Sequence, residues 1–204
     1  MSKLLLEKKF IQGGIRVFND RPPFEFIEIK QIHCEVVEEA SSCQAKELKE
    51  ADGLYFLFSK SPVIPLAIKT ADCLPITLIG KKGVAHIHAG WRGLNLGIQN
   101  QEMVKAIEPF YAYIGPSIHQ ESYEVSDDFR DNFPGLEECF NRNNERLTFN
   151  LPLAGKLSLQ QLFPQIEVEL SSLDTFTTPS HNSFRKTKTK QRNYNIFYPE
   201  NIWE

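Results

Sequence analysis

His33, Cys73 and His88 are the residues of this 204-residue chain whose types combine most directly into a reactive set. One thiolate and two imidazoles make a three-ligand site for zinc and leave a fourth position for water. Copper accepts the same donors, so the ligand types leave Zn2+ and Cu2+ both open. The three stand 40 and 15 residues apart, so only the fold can bring them together. Without a metal, Cys73 and His88 would instead be the nucleophile and base of a Cys-His hydrolase.

Three further residues extend the set. Asp72 precedes Cys73 and reads either as a proton carrier beside the ligand or as a turn-former. Arg92 lies between Gly90 and Gly93, just before a helical pattern, where backbone N–H groups favour an anion. Arg185 opens the basic run Arg185-Lys186-Thr187-Lys188-Thr189-Lys190-Gln191-Arg192, which reads as a solvated edge or as a phosphate contact. Of the two arginines, Arg92 is expected to matter more for phosphate. His86 shares a strand face with His88 but is not expected to be a ligand, since three protein ligands suffice.

The elements that must position these groups are mostly strands. Phe24 to Lys30 reads as a strand delivering Gln31-Ile32-His33, with Cys34 to Val37 continuing it. Ser41 to Ala51 leans helical. Gly53–Phe58, Val63–Lys69, Leu74–Ile79 and Gly83–His88 are strand candidates, the last two joined by a turn at Lys81-Lys82-Gly83. Leu94, Ile98, Val104 and Ile107 follow helical spacing up to Pro109. Phe110–Ile114 and Ile166–Leu170 read as strands, and Pro152–Leu162 as a helix. Ser126 is an N-cap candidate. Along Val84 to His88, alternation would put Val84, His86 and His88 on one face, and Ala85, Ile87 and Ala89 on the other. The order predicts a mixed sheet covered by helices.

Composition narrows the function classes. Apolar residues make up 41% and charged residues 24%, which excludes a disordered chain or a coiled coil. The net charge of −3 offers no global field for nucleic acid. No apolar run reaches the roughly 18 residues of a membrane span. Met1-Ser2-Lys3-Leu4-Leu5-Leu6-Glu7 lacks the apolar core of a signal peptide, so a cytoplasmic location is expected. The four cysteines form no CxxC pair, which argues against a zinc ribbon.

At these residues the chain resembles the YfiH-type family, the laccase-like multicopper polyphenol oxidase domain, whose members are also described as purine nucleoside phosphorylases or peptidoglycan editing factors. The matching stretches are Gln31-Ile32-His33, Ala51-Asp52-Gly53, Thr70-Ala71-Asp72-Cys73-Leu74-Pro75, His88-Ala89-Gly90-Trp91-Arg92-Gly93-Leu94, and Ile114-Gly115-Pro116-Ser117-Ile118 followed by Tyr123-Glu124-Val125. The resemblance implies an α/β fold, three-layer α/β/α with a mixed sheet, and one YfiH-type domain over residues 1–204. It implies zinc on His33, Cys73 and His88. It implies phosphorolysis of adenosine, inosine, guanosine or methylthioadenosine, and deamination of adenosine, with nucleoside and phosphate as the partners.

The chain departs from the family pattern in three places. The N-terminal part is shorter than usual, and Arg16 and Arg21 are the candidates there for a substrate-binding arginine. His86 replaces a small apolar residue. Asp174-Thr175 stands near the place of a Cys-Thr pair, while Ser183-Phe184-Arg185-Lys186 matches a Ser-aromatic-Arg-Arg signature. Three other readings stay beside the nucleoside enzyme. One is a Cys-His hydrolase acting on an amide such as a cell-wall precursor. Another is an oxidase, disfavoured because the whole chain has five histidines. The last is a metal-keeping module without turnover.

Overall fold

The computed structural model describes the chain except residues 1, 44–47, 61, 63 and 204. In chain order the elements are β1 (Leu4–Phe10), β2 (Gly13–Phe18), β3 (Val37–Glu39), β4 (Gly53–Leu57), β5 (Leu66–Thr70), β6 (Leu74–Gly80) and β7 (Gly83–Ala89). Then come α1 (Trp91–Leu96), α2 (Glu102–Ala106), β8 (Pro109–Ile114), β9 (Glu124–Val125), β10 (Phe140–Asn143) and β11 (Arg146–Phe149). The chain ends with α3 (Leu151–Leu162), β12 (Glu167–Leu170), α4 (Phe184–Thr187) and β13 (Asn193–Pro199).

A six-stranded sheet in the order β12-β8-β6-β7-β4-β3 is the central layer. It is mixed: β12 with β8 and β3 with β4 are parallel, and the other pairs are antiparallel. A four-stranded antiparallel sheet, β1-β2-β13-β5, forms another layer, and β10-β11-β9 make a small third sheet. The expected α/β class with a mixed sheet is what the chain adopts. Helices cover one face of that sheet, and on the other face the covering layer is the four-stranded sheet in place of helices.

Alternation along β7 explains the two cores. Ala85, Ile87 and Ala89 pack with Leu94, Ile98, Val104, Leu151 and Leu159 from the helical side. Val84, on the opposite face, packs with Ile15, Val17, Leu66, Ile68 and Phe197 from the four-stranded sheet. Burying both faces of β6 and β7 requires the near-continuous apolar runs seen in their sequences. Gly155 lets α3 lie close on the sheet, since a Cβ there would meet Leu74 Cδ1 at 2.8 Å.

Several expected elements differ. Phe24 to Lys30 is not a strand of either sheet: Ile27 and Lys30 make isolated bridges to Leu66 and Glu50. Of Cys34 to Val37, only Val37 joins a strand. The helical pattern of 94–107 is broken by Gly97, whose φ of 84° ends α1. Within Ser41 to Ala51, residues 44–47 lie outside the described residues; the described part has a 3-10 turn at Ala40–Ser42. Val63, the start of one expected strand, also lies outside them, and the strand itself begins at Leu66. Ser126 precedes a 3-10 turn but makes no side-chain cap, whereas Asn150 caps α3 by accepting the Leu153 N–H at 3.0 Å.

Candidate metal and substrate site

The site forms where the strands of two layers end together. β5 belongs to the four-stranded sheet and β6 to the six-stranded one, so Ala71-Asp72-Cys73 crosses between layers. Antiparallel pairing sets Leu74 opposite Ala89 and Pro75 opposite His88. Cys73 therefore emerges beside the end of β7. Gly90 follows at once, and a Cβ there would meet Cys73 Sγ at 2.9 Å and His33 Cδ2 at 3.4 Å. A side chain at residue 90 would occupy the space the ligand atoms use.

His33 arrives on a loop held by two clamps. Gln31 donates to the Lys69 carbonyl at 2.7 Å and accepts the Lys69 N–H at 2.8 Å, joining the loop to β5. Asp52, just before β4, accepts the N–H groups of Ile32 at 3.1 Å and Cys34 at 2.7 Å through Oδ2. His33 between them has φ 63°, a left-handed conformation uncommon outside glycine. The paired bonds on either side hold it there.

The other Asp52 oxygen accepts from His88 Nδ1 at 2.6 Å. β4 pairs with β7, and the His88 N–H donates to the Asp52 carbonyl at 2.7 Å, so the two residues are fixed side by side. This bond leaves His88 Nε2 for the cluster, the orienting role a carboxylate plays behind a metal-bound imidazole. One donor atom from each of His33, Cys73 and His88 lies within 4.8 Å of the others. The His33 and His88 rings meet edge to face with centroids 4.9 Å apart. Soft thiolate, two imidazoles and a carboxylate behind one of them fit zinc or copper.

Charge is distributed unevenly here. Burial pushes the Cys73 thiol up, but the His88 and His33 rings outweigh it and bring the thiol down to about 6. Burial pushes His88 down, but the Cys73 thiolate and the Asp52 carboxylate raise it to about 9. Asp52 is lowered to about 2, because the His88 and Cys34 bonds outweigh its burial. Metal-free protein thus holds a thiolate against an imidazolium near neutral pH.

The three donors border a cavity of about 780 Å3, within the range of ligand pockets, roughly 300–1,000 Å3. Trp91, Tyr123 and Phe184 bring aromatic surface to it, and Arg185 lines it with its guanidinium 5.1 Å from the Tyr123 ring centroid. Arg92 is exposed, stacks 5.1 Å from its neighbour Trp91 and is not among the lining residues. Arg92 thus lies over one lining ring, and its charge is felt by a second lining residue, Tyr123. Asp72 is buried, with Oδ1 accepting from Thr175 Oγ1 at 2.7 Å and Oδ2 from the Arg185 N–H at 2.9 Å. Its carboxylate ties the Cys73 loop to α4. Both oxygens are committed, which favours the positioning reading over the proton carrier.

His86 sits inside the sheet stack. Its Nε2 donates to the Asn195 carbonyl at 2.9 Å and its Nδ1 pairs with Thr77 Oγ1 at 3.1 Å. Neither nitrogen is open to a metal. Arg16 is paired with Glu7 and stacked on Trp203, and Arg21 is paired with Glu28; neither lines the cavity. Among the described residues, His33, Cys73 and His88 are the one group of three His, Cys, Asp or Glu close enough to share an ion. Sequence reasoning gave Asp52 and Gln31 no role. The available signal was an acidic residue opening an apolar strand, and it is fully buried in the structure.

Residues 17–196 match the family described as multi-copper polyphenol oxidoreductase laccase. The chain belongs to this family. One relative is the purine nucleoside phosphorylase RP494 of Rickettsia prowazekii (strain Madrid E), 28% identical over 87% of this chain and 75% of its own length. Another, the purine nucleoside phosphorylase of Aquifex aeolicus (strain VF5), is 32% identical over 63% of each chain. The chain thus spans between 63% and 75% of these relatives. A Neisseria meningitidis protein superposes with a TM-score of 0.74 at 25% identity, covering 85% of this chain and 74% of that one. The Bacillus licheniformis protein YfiH gives 0.72 at 25% identity, covering 86% and 74%. The YfiH-type resemblance of the sequence motifs agrees with these matches.

Proposed function

We propose that this chain is a zinc-dependent purine nucleoside enzyme, a phosphorylase that splits adenosine, inosine, guanosine or methylthioadenosine with phosphate and also deaminates adenosine. The observation that carries the reading is the convergence of His33, Cys73 and His88 on a cavity with room for a nucleoside and a phosphate, in a family whose curated relatives are named purine nucleoside phosphorylases. His33, Cys73 and His88 would hold the metal. When bound, zinc supplies Lewis acidity and lowers the pKa of a water molecule.

The chain's own groups do the rest. Asp52 keeps the proton on His88 Nδ1 and so keeps Nε2 facing the cluster. Arg185 holds phosphate with a fork that matches two oxygens at once. Trp91, Phe184 and Tyr123 give the purine ring apolar walls. Tyr123, pushed up to about 12 chiefly by burial, remains a neutral phenol able to donate a hydrogen bond. Asp72 holds Arg185 in register with Cys73. No helix of the described residues is long and apolar enough to cross a membrane.

The thiolate-imidazolium pairing of Cys73 and His88 favours one second reading, a metal-free Cys-His hydrolase of an amide such as a cell-wall precursor. Elemental analysis of protein purified without chelators, followed by a nucleoside panel with and without phosphate, separates the two. Stoichiometric zinc with phosphate-dependent base release supports the phosphorylase. Metal-free protein with an alkylation-sensitive amidase activity supports the hydrolase.

A further inference from the structure

The cavity carries more positive charge than phosphorolysis of a neutral nucleoside uses. Six cationic side chains line it: Lys30, Lys69, Arg185, Lys188, Lys190 and Arg192. Two are neutralised, Lys30 by Glu50 at 2.7 Å and Lys69 by Glu28 at 3.0 Å. The other four lie on the segment from α4 to β13 and form no ion pair among the described residues. The lining holds one carboxylate, Asp72, and its oxygens are committed to Thr175 and the Arg185 N–H. In a chain of net charge −3, this is a local concentration of cations, four against the single carboxylate of Asp72.

The segment is shaped as well as charged. Ser183 Oγ accepts the Lys186 N–H at 3.1 Å and starts α4; Lys188, with φ 54°, ends it in a left-handed turn. The Arg192 guanidinium donates to the carbonyls of Thr189 at 3.0 Å and Gln191 at 2.8 Å, folding the arm onto itself. Asn182 and Asn193 exchange side-chain and backbone bonds across its base. Arg185, tied to Asp72, stands nearest the Cys73 loop. Lys188, Lys190 and Arg192 lie further along the arm.

We propose that this cavity takes a purine nucleoside carrying a phosphate group on its sugar, with Lys188, Lys190 and Arg192 gripping that phosphate while Arg185 serves the attacking one. The proposal rests on the phosphorylase reading for the identity of the base. Its own support is placement: Arg185 is tied to Asp72 beside the Cys73 loop, while Lys188, Lys190 and Arg192 line the cavity from further along the arm and form no ion pair among the described residues. Charge-assisted bonds to phosphate oxygens are among the stronger contacts a site can offer; Lys190 is exposed, Lys188 lies 5.1 Å from the Phe184 ring centroid, and the carbonyl bonds of Arg192 leave its charge without a carboxylate.

The test is calorimetric titration of the full zinc-loaded chain with adenosine monophosphate, with adenosine and with inorganic phosphate, at low ionic strength. The monophosphate should bind about tenfold more tightly than adenosine, the equivalent of one good charged contact. In the double variant Lys188→Asn, Lys190→Gln the advantage should shrink to about twofold or less, with adenosine binding and melting temperature unchanged. Equal binding of the two ligands would overturn the proposal, as would an advantage that survives the double variant. Inorganic phosphate that loses affinity in the variant while the monophosphate binds no better than adenosine would overturn it too, and leave an arm that holds free phosphate only. Binding is read without turnover, so the two readings fail separately. Preference for the monophosphate with no base release from any nucleoside removes the phosphorylase alone. Phosphorolysis of adenosine with no such preference removes this proposal alone.

Discussion

Asp52 and His88 are joined twice: the carboxylate accepts from His88 Nδ1 at 2.6 Å, and the backbone carbonyl accepts from the His88 N–H at 2.7 Å. The same carboxylate holds the loop of His33 through the N–H groups of Ile32 and Cys34. One buried side chain thus orients two of the three candidate ligands. Asp52→Asn should lower zinc affinity by roughly 10–100-fold, the usual cost of losing a partner behind a metal-bound histidine. Competition with a chromophoric chelator reads the loss. Unchanged affinity in a folded Asp52→Asn protein would remove Asp52 from the site.

Gly90 provides a steric test of the same geometry. A Cβ there meets Cys73 Sγ at 2.9 Å and His33 Cδ2 at 3.4 Å. Gly90 also has an ordinary extended backbone, φ −70° and ψ 172°, so alanine introduces no conformational strain. Gly90→Ala should therefore lose most of the metal and keep its melting temperature within a few degrees in the metal-free state. A variant that binds zinc like the wild type would show that the donors do not converge beside residue 90.

Zinc uptake should depend on pH in a particular window. With Cys73 at about 6 and His88 at about 9, the metal-free pair carries one proton between those values. Binding must displace it, so apparent affinity should rise about tenfold per pH unit from about 6 to about 9, more steeply below, and level above. The sign is fixed by His88: its raised pKa keeps a competing proton in place until the pH passes through it. Equilibrium dialysis across this range checks the slope, and a flat profile would contradict the pairing.

Much of the fold is legible in the sequence because β4 to β8 bury apolar runs whose turns carry glycine or proline. The hairpin of β1 and β2 is not, since Lys8 and Lys9 give an edge strand the look of a charged leader. β13 is hidden by buried polar residues: Asn195 donates to Ile68 O and Thr70 Oγ1 and so satisfies itself inside the stack. The ligands His33, Cys73 and His88 are visible as residue types in motifs, and the structure brings them together. Asp52 is not visible as the residue behind His88, because that contact depends on β4 pairing with β7 across 36 residues of chain. Arg92 is less legible for a local reason. Its glycine neighbours suggest an anion turn, yet its side chain lies on Trp91.

That placement reverses the expected order of the two arginines. Arg185 lines the cavity and Arg92 does not. Arg185→Ala should raise the phosphate KM by about tenfold with zinc retained, and Arg92→Ala by about twofold or less. Phosphate titrations at saturating nucleoside measure both. A larger effect at Arg92 would place the phosphate at the α1 turn.

The proposed phosphorylase reaction depends on a metal held by His33, Cys73 and His88. The most direct measurement is base release from inosine, with and without phosphate, by zinc-loaded protein, chelator-stripped protein and Cys73→Ser. The zinc-loaded wild type should release base only with phosphate, lose that activity on stripping and recover it when zinc is returned, whereas Cys73→Ser should not recover. Release that is undiminished in stripped protein, or absent from a protein shown to hold one zinc per chain, would contradict the proposed reaction.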